Sequence, residues 1–235
     1  MSNSNLLSGV TIVDLTHVLS GPFATMILRN LGARVIKVEP PKRGDDSRAF
    51  GPFVKDVSLY FSSINAGKES IALNLKDPAD REVFEKLLSL ADVVTENYRP
   101  GTMEKLGYGW DSLHEKFPHL IYGAASGFGH SGPDMKRAAY DIVVQAMGAV
   151  MSMTGQPDSP PTRVGVSIGD LAAGLYLAIG ISAALYKRKS TGVGVKVDVG
   201  MLDCQATLLE GAIPDYVLNG VVPKPLGSRH PSIAP

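Results

Sequence analysis

The chain has 235 residues, 44% of them apolar and 20% charged, and its 23 basic and 23 acidic side chains leave no net charge. This is a globular composition with enough apolar residues for a core, and the charge balance speaks against nucleic acid or an acidic membrane surface as a partner. One cysteine, Cys204, rules out an internal disulfide and fits a reducing, cytoplasmic compartment.

The opening MSNSNLLSG has neither the basic nor the apolar region of a signal peptide. VTIVDL (10–15) reads as a buried strand. A helix follows over 21–32, with Pro22 in its first turn and Gly32 at its end. RVIKVE (34–39) is the next strand, so the first 40 residues form a βαβ unit with a parallel pair. SIALNL (70–75) reads as a strand and 76–91 as an amphipathic helix with Asp77 at its N-cap and Pro78 at its first position. DVVTEN (92–97) is a strand, 102–117 is helical, and LIYGAASGF (120–128) is a strand. A helical run over 140–155, an apolar helix over 170–188 and a strand at 195–200 complete the series. The alternation predicts an α/β fold with a doubly wound parallel sheet. The apolar run 171–186 is short for a membrane span and is interrupted by Gly174, Gly180 and Ser182, so it reads as a core helix. The chain divides into a sheet domain over 1–200 and, over 201–235, a helix followed by a proline-rich extended linker.

In such sheets ligands lie beyond the carboxyl ends of the strands. The segments there are 16–22, 39–48, 74–77, 96–101 and 126–132, all rich in small, polar or basic residues. The first turn lacks G-x-G-x-x-G, which argues against a dinucleotide site. Lys37, Lys42, Arg43, Arg48, Lys76, Arg99, Lys105 and Arg137 fall on or near this rim. Each alone is an ordinary surface charge; together they would suit a polyphosphate. The five histidines and the cysteine lack metal-ligand spacing, and no G-x-S-x-G elbow occurs, so no metal site is expected. Asp170, between Gly169 and an apolar run, has the position of a helix N-cap. An N-cap carboxylate would be held ionised by the helix dipole, and the small residues around it leave room for a bulky ligand. Capping and nucleophilic chemistry are compatible here.

Four stretches carry a resemblance: 9–48, LYFSSINAGKESIALNLK (59–76), ADVVTENYRPGTMEKLGYGW (91–110) and VSIGDLAAGLYLAIGISAALYKR (166–188). Together and in order they resemble the class III CoA-transferases, the formyl-CoA and carnitine CoA-transferase family, over essentially the whole chain. The resemblance implies a Rossmann-like large domain, with a smaller domain that this chain lacks and a possible truncation. It implies transfer of CoA from an acyl-CoA to an acceptor carboxylate through an aspartyl mixed anhydride and an aspartyl-CoA thioester. No tightly bound cofactor is implied, since CoA is the substrate, and neither nucleic acid nor membrane is a partner. An interlocked homodimer is implied for the full-length protein. In the family a glycine-rich loop of the smaller domain assists the oxyanion.

Residue by residue, the family's nucleophile falls on Asp170. His17, Val18, Leu19 and Ser20 would line the CoA path, and Leu73, Asn74, Leu75 and Lys76 would flank the adenine. Asn97, Tyr98 and Arg99 would take the pantetheine and diphosphate, with Lys105 nearby. Arg137, Ala138, Ala139 and Tyr140 would hold the pantetheine arm near Asp170. Pro40 replaces a family basic residue, which leaves Lys42 or Arg43 for the phosphates. The related 2-methylacyl-CoA racemases carry a histidine where Tyr140 stands, and a tyrosine is a poor base at neutral pH, so racemisation is disfavoured. A CoA-binding module without catalysis is the remaining alternative.

Overall fold

The computed structural model describes residues 6–233. Strand β1 (Thr11–Asp14), helix α1 (Ser20–Asn30) and strand β2 (Arg34–Glu39) form the expected βαβ unit. Beyond it lie a 3-10 turn (Asp46–Ala49), a small hairpin of β3 (Phe53–Val54) and β4 (Val57–Ser58), and helix α2 (Leu59–Asn65). β5 (Glu69–Ala72), α3 (Pro78–Leu90), β6 (Val93–Glu96), α4 (Thr102–Leu106), α5 (Trp110–Lys116) and β7 (Ile121–Ser126) follow. The remaining elements are α6 (Asp141–Met147), α7 (Val150–Met153), α8 (Ile168–Thr191), β8 (Lys196–Gly200), α9 (Met201–Leu208) and α10 (Ala212–Asn219).

The main sheet has the order β5-β2-β1-β6-β7-β8, and every pair is parallel. Such strands are covered on both faces and read as continuous apolar runs, which is why the sequence exposes them. Ala24 and Leu28 of α1 pack with α8 and α9 on one face. Phe84 and Leu88 of α3 pack with Met103 and Leu113 on the other. The chain winds outward from β1 in both directions, so the gap between the carboxyl ends of β1 and β6 is the topological switch point.

The sequence places the main strands and helices well, with three differences. The helix expected over 102–117 breaks into α4 and α5, because Gly107 adopts φ +83° and ends α4 in the left-handed region. The run 140–155 likewise divides at Gly148 and Ala149, the latter at φ +63°. The hairpin and α2 carry no strong periodic signal and went unassigned. Met201 and Cys204 belong to the core cluster under α8, and α10 continues the helical run beyond them. The last two residues of the expected linker lie outside the described residues.

Helix α8 has the length and hydropathy to cross a membrane, yet one of its faces is core. Ala173, Leu177 and Ile181 are fully buried. Gly174 lets α1 approach: a Cβ there would come within 2.7 Å of the Ser20 carbonyl oxygen. This contact sets where the start of α8 lies relative to the first loop.

Candidate active site

The switch point is built by two loops that bond to each other. Asn97, just past β6, accepts the His17 N–H at 2.8 Å and donates to the His17 carbonyl at 2.8 Å. Its side chain thus pairs with the backbone of the first loop as a neighbouring strand would. The Tyr98 ring stacks on His17 with centroids 5.4 Å apart. Val18 has φ +65°, a strained value for a β-branched residue, and its N–H donates to Asp45 Oδ1 at 3.1 Å. Burial lowers the His17 pKa against the pull of Asp45 and Asp46, so the ring stays neutral at pH 7. Its Nδ1 is buried without a hydrogen-bond partner among the described residues.

Three clefts meet at Tyr98. The first, of about 360 Å³, is lined by His17, Val18, Leu19, Ser20, Asn97, Tyr98 and Arg99, by Arg137, Ala138, Ala139 and Tyr140, and by Asp170. The second, about 180 Å³, runs between His17, Lys37 and Arg43. The third, about 270 Å³, takes in Leu73, Asn74, Leu75 and Lys76. A trough therefore runs from Asp170 past Tyr98 to the turn after β5. Most of the expected contact residues come together along it. Leu73 and Leu75 do so from core positions, which leaves Asn74 and Lys76 as the exposed side chains of their segment. Lys42 and Lys105 are exposed and line none of the three clefts.

The rim is less cationic than its sequence implies. Lys37 is buried against Asp45 at 2.9 Å, with 1% of each side chain exposed, and donates to the Thr16 carbonyl. Arg48 is held by both oxygens of Glu39, Arg43 by Asp46 at 2.9 Å, and Arg137 by Asp134 at 3.1 Å. Lys42, Lys76, Arg99 and Lys105 have no ionic partner among the described residues.

Asp170 is not the N-cap expected of it. Helix α8 begins at Ile168, Ser167 stands at the N-cap without a side-chain bond, and Asp170 lies in the first turn. The free N–H of Gly169 is taken by Asp141 Oδ1 at 2.8 Å, while Asp141 Oδ2 accepts from Gln145 at 2.7 Å. Gly169 is needed there, because a Cβ would come within 2.6 Å of Val144. The expectation of a readily ionised carboxyl fails for the same reason. Burial and then the Asp141 charge push Asp170 up to about 7, opposed by a hydrogen bond with Ser20. Ser20 also receives an N–H of Asn97 at 3.3 Å. Asp170 is the one carboxylate among the residues that line the first cleft.

Sequence reasoning missed Asp141, Asp45 and Tyr60. Tyr60, on α2, feels the Asp170 charge. Only the acid after Tyr140 at a helix start gave a local signal for Asp141. The described residues hold no cluster of three or more metal-ligating side chains.

The parallel α/β sheet thus carries a long trough at its switch point, ending at a half-buried carboxyl. The chain belongs to CoA-transferase family III, whose description matches residues 7–235. It is 51% identical over 228 residues to the acetyl-CoA:oxalate CoA-transferase of Acetobacter aceti, a match covering 97% of this chain and 59% of that protein. It is 44% identical over 230 residues to the succinyl-CoA:glutarate CoA-transferase of Mus musculus, covering 97% and 53%. The crystal structure of a CAIB/BAIF family protein from Brucella suis superposes with a TM-score of 0.92 at 41% identity, covering 97% of this chain and 62% of that one. The chain thus spans under two thirds of the length of each.

Proposed function

We propose that the trough binds an acyl-CoA and that Asp170 relays CoA from it to an acceptor carboxylate. The observation that carries this reading is the position of Asp170, the single carboxylate of the first cleft, at the end of a trough lined by the residues the family resemblance assigns to CoA. Ionised Asp170 attacks the thioester carbonyl carbon, an oxyanion forms, and the C–S bond breaks to release CoA thiolate and leave an acyl-aspartyl anhydride. The thiolate attacks the Asp170 carboxyl carbon, the donor acid departs as carboxylate, and an aspartyl-CoA thioester remains. The acceptor carboxylate attacks that thioester, and the returning thiolate takes the new acyl group and frees Asp170. No net proton is consumed. Partial burial strips water from the carboxylate, which makes its ionised form a better nucleophile.

Lys76 and Arg99, without ionic partners, supply charge for the CoA phosphates, and Arg43 does so by sharing its bond to Asp46. The names of the relatives place oxalate and glutarate among the first acceptors to assay. A second chain completes the assembly. Apolar side chains exposed on α8 and α10, including Ile179, Tyr216, Val217 and Leu218, support a dimer. The buried free thiol of Cys204 fits a reducing, cytoplasmic compartment.

The test is to mix the chain with an acyl-CoA, trap with hydroxylamine or borohydride, and map the adduct by mass spectrometry. Modification at Asp170 is expected. CoA binding without an adduct there would make the chain a binding module instead.

A further inference from the structure

A buried polar cluster beneath the trough takes no part in the relay. Glu96 ends β6 and is 1% exposed. Its Oε2 accepts the backbone N–H of Tyr98 at 2.7 Å, and its Oε1 accepts the Tyr122 hydroxyl at 3.1 Å. His130 Nε2 faces the same Oε1 at 3.4 Å without forming a hydrogen bond, and has no hydrogen-bond partner among the described residues. On the far side of the ring, Nδ1 is 3.1 Å from Lys196 Nζ. The His130 backbone N–H donates to Asp198 of β8, at 2.9 and 3.1 Å to its two oxygens.

The tautomer follows from these neighbours. A lysine ammonium only donates, so His130 Nδ1 must offer its lone pair and the ring hydrogen sits on Nε2, facing Glu96. Two hydrogen bonds therefore reach Glu96, from the Tyr98 N–H and the Tyr122 O–H, and the His130 Nε2–H faces it from 3.4 Å. That arrangement suits a carboxylate. A proton on Glu96 would meet donors, and the charge-assisted bond from Tyr98 would become a neutral one, roughly half as strong. Tyr98 is the residue common to all three clefts, and it stacks on His17.

We propose that Glu96 is a positioning residue whose carboxylate, bonded by Tyr122 and faced by His130, clamps Tyr98 in the CoA trough and releases it when Glu96 takes up a proton. This rests on the CoA reading of the trough. The titration falls in the neutral range, because burial pushes Glu96 up to about 7. Glu104 of α4 adds to that rise, while Tyr98, Tyr122 of β7 and Lys196 of β8 oppose it. Burial and then Lys196 lower the pKa of His130 against Asp198 and Glu104, which favours the neutral ring.

The experiment is calorimetric titration with free CoA between pH 6 and 8, with Asp170→Asn in every sample to silence the nucleophile. If only the clamped form binds, the Kd rises about tenfold from pH 8 to pH 6. Glu96→Gln keeps an acceptor for Tyr98 without a titrating proton, and it flattens the profile to the level set by CoA itself. His130→Leu removes the N–H dipole that faces the carboxylate and moves the midpoint upward by about half a pH unit. A profile unchanged in both variants would overturn the clamp alone. Absence of CoA binding at every pH would sink the reading of the trough, and the clamp with it.

Discussion

Asp170 shows how a single residue can be set against the stability of its own fold. Its carboxyl group is half-buried beside Asp141, and its proton affinity rises accordingly. A group whose folded pKa is raised contributes stability that is fully present below the unfolded value, 3.8 here, and is lost as pH rises through about 7. Asp170→Asn removes the charge but keeps the shape. The variant is therefore about 1–3 kcal/mol more stable than the parent above pH 7, and the gain vanishes below pH 4. Thermal melts at both ends of that range measure the difference. In the full-length protein the same substitution should lower acyl exchange at least about a thousandfold, read by a thioester-exchange assay. With Asp170 as nucleophile of the full-length protein, its kcat/KM for acyl-CoA should rise with pH through about 7, because only the ionised form attacks. A flat profile from pH 5 to 8 would contradict that assignment.

At the scale of elements, the site depends on how closely α1 lies on α8. Gly174 faces the Ser20 carbonyl oxygen and the Phe23 ring, both within 2.8 Å of where a Cβ would be. Ser20 is also the hydroxyl that bonds Asp170. Gly174→Val wedges the helices apart and costs about 1–3 kcal/mol, and a chain of this size loses roughly 2–4 °C in Tm per kcal/mol. Activity falls further than stability alone explains, because Ser20 shifts away from the carboxyl group. An active variant with an unchanged melt would show that this contact is slack.

Across the whole molecule, a buried ion pair ties the first strand to the distant segment ahead of β5. Lys68 Nζ bonds Asp14 Oδ2 at 3.1 Å, the Thr25 hydroxyl at 2.8 Å and the Pro22 carbonyl at 3.0 Å. Burial alone would raise the Asp14 pKa, but Lys68, Lys37 and two threonine hydroxyls together hold it down at about 2. The stability this pair contributes is present above 3.8 and is lost as pH falls through about 2. Lys68→Met leaves Asp14 short of its main partner and destabilises the chain by about 3–5 kcal/mol at pH 7. Urea unfolding measures this, and a variant as stable as the parent would show that Lys37 suffices. Association is tested at the same scale. Sedimentation of the full-length protein should show a dimer, and a monomer at high micromolar concentration would remove the second chain from the proposal.

The sequence by itself determined the layered α/β architecture. Fully covered parallel strands must be apolar throughout, and the amphipathic α3 announces its start at Asp77 and Pro78, where Asp77 does accept the Ala79 N–H. Family likeness also assigned most of the trough residues to one path, and the fold assembles them there. What lay beyond it were contacts between residues some 80 positions apart, such as Asn97 with His17, because these depend on which strands meet at the switch point. The left-handed Ala149, the buried state of Lys37 and the Glu96 cluster carry no local signature. Only the tertiary structure decided the state of Asp170. A carboxyl group's ionisation depends on nearby charge and on excluded water, and here Asp141, Ser20 and the packing of α1 on α8 set both.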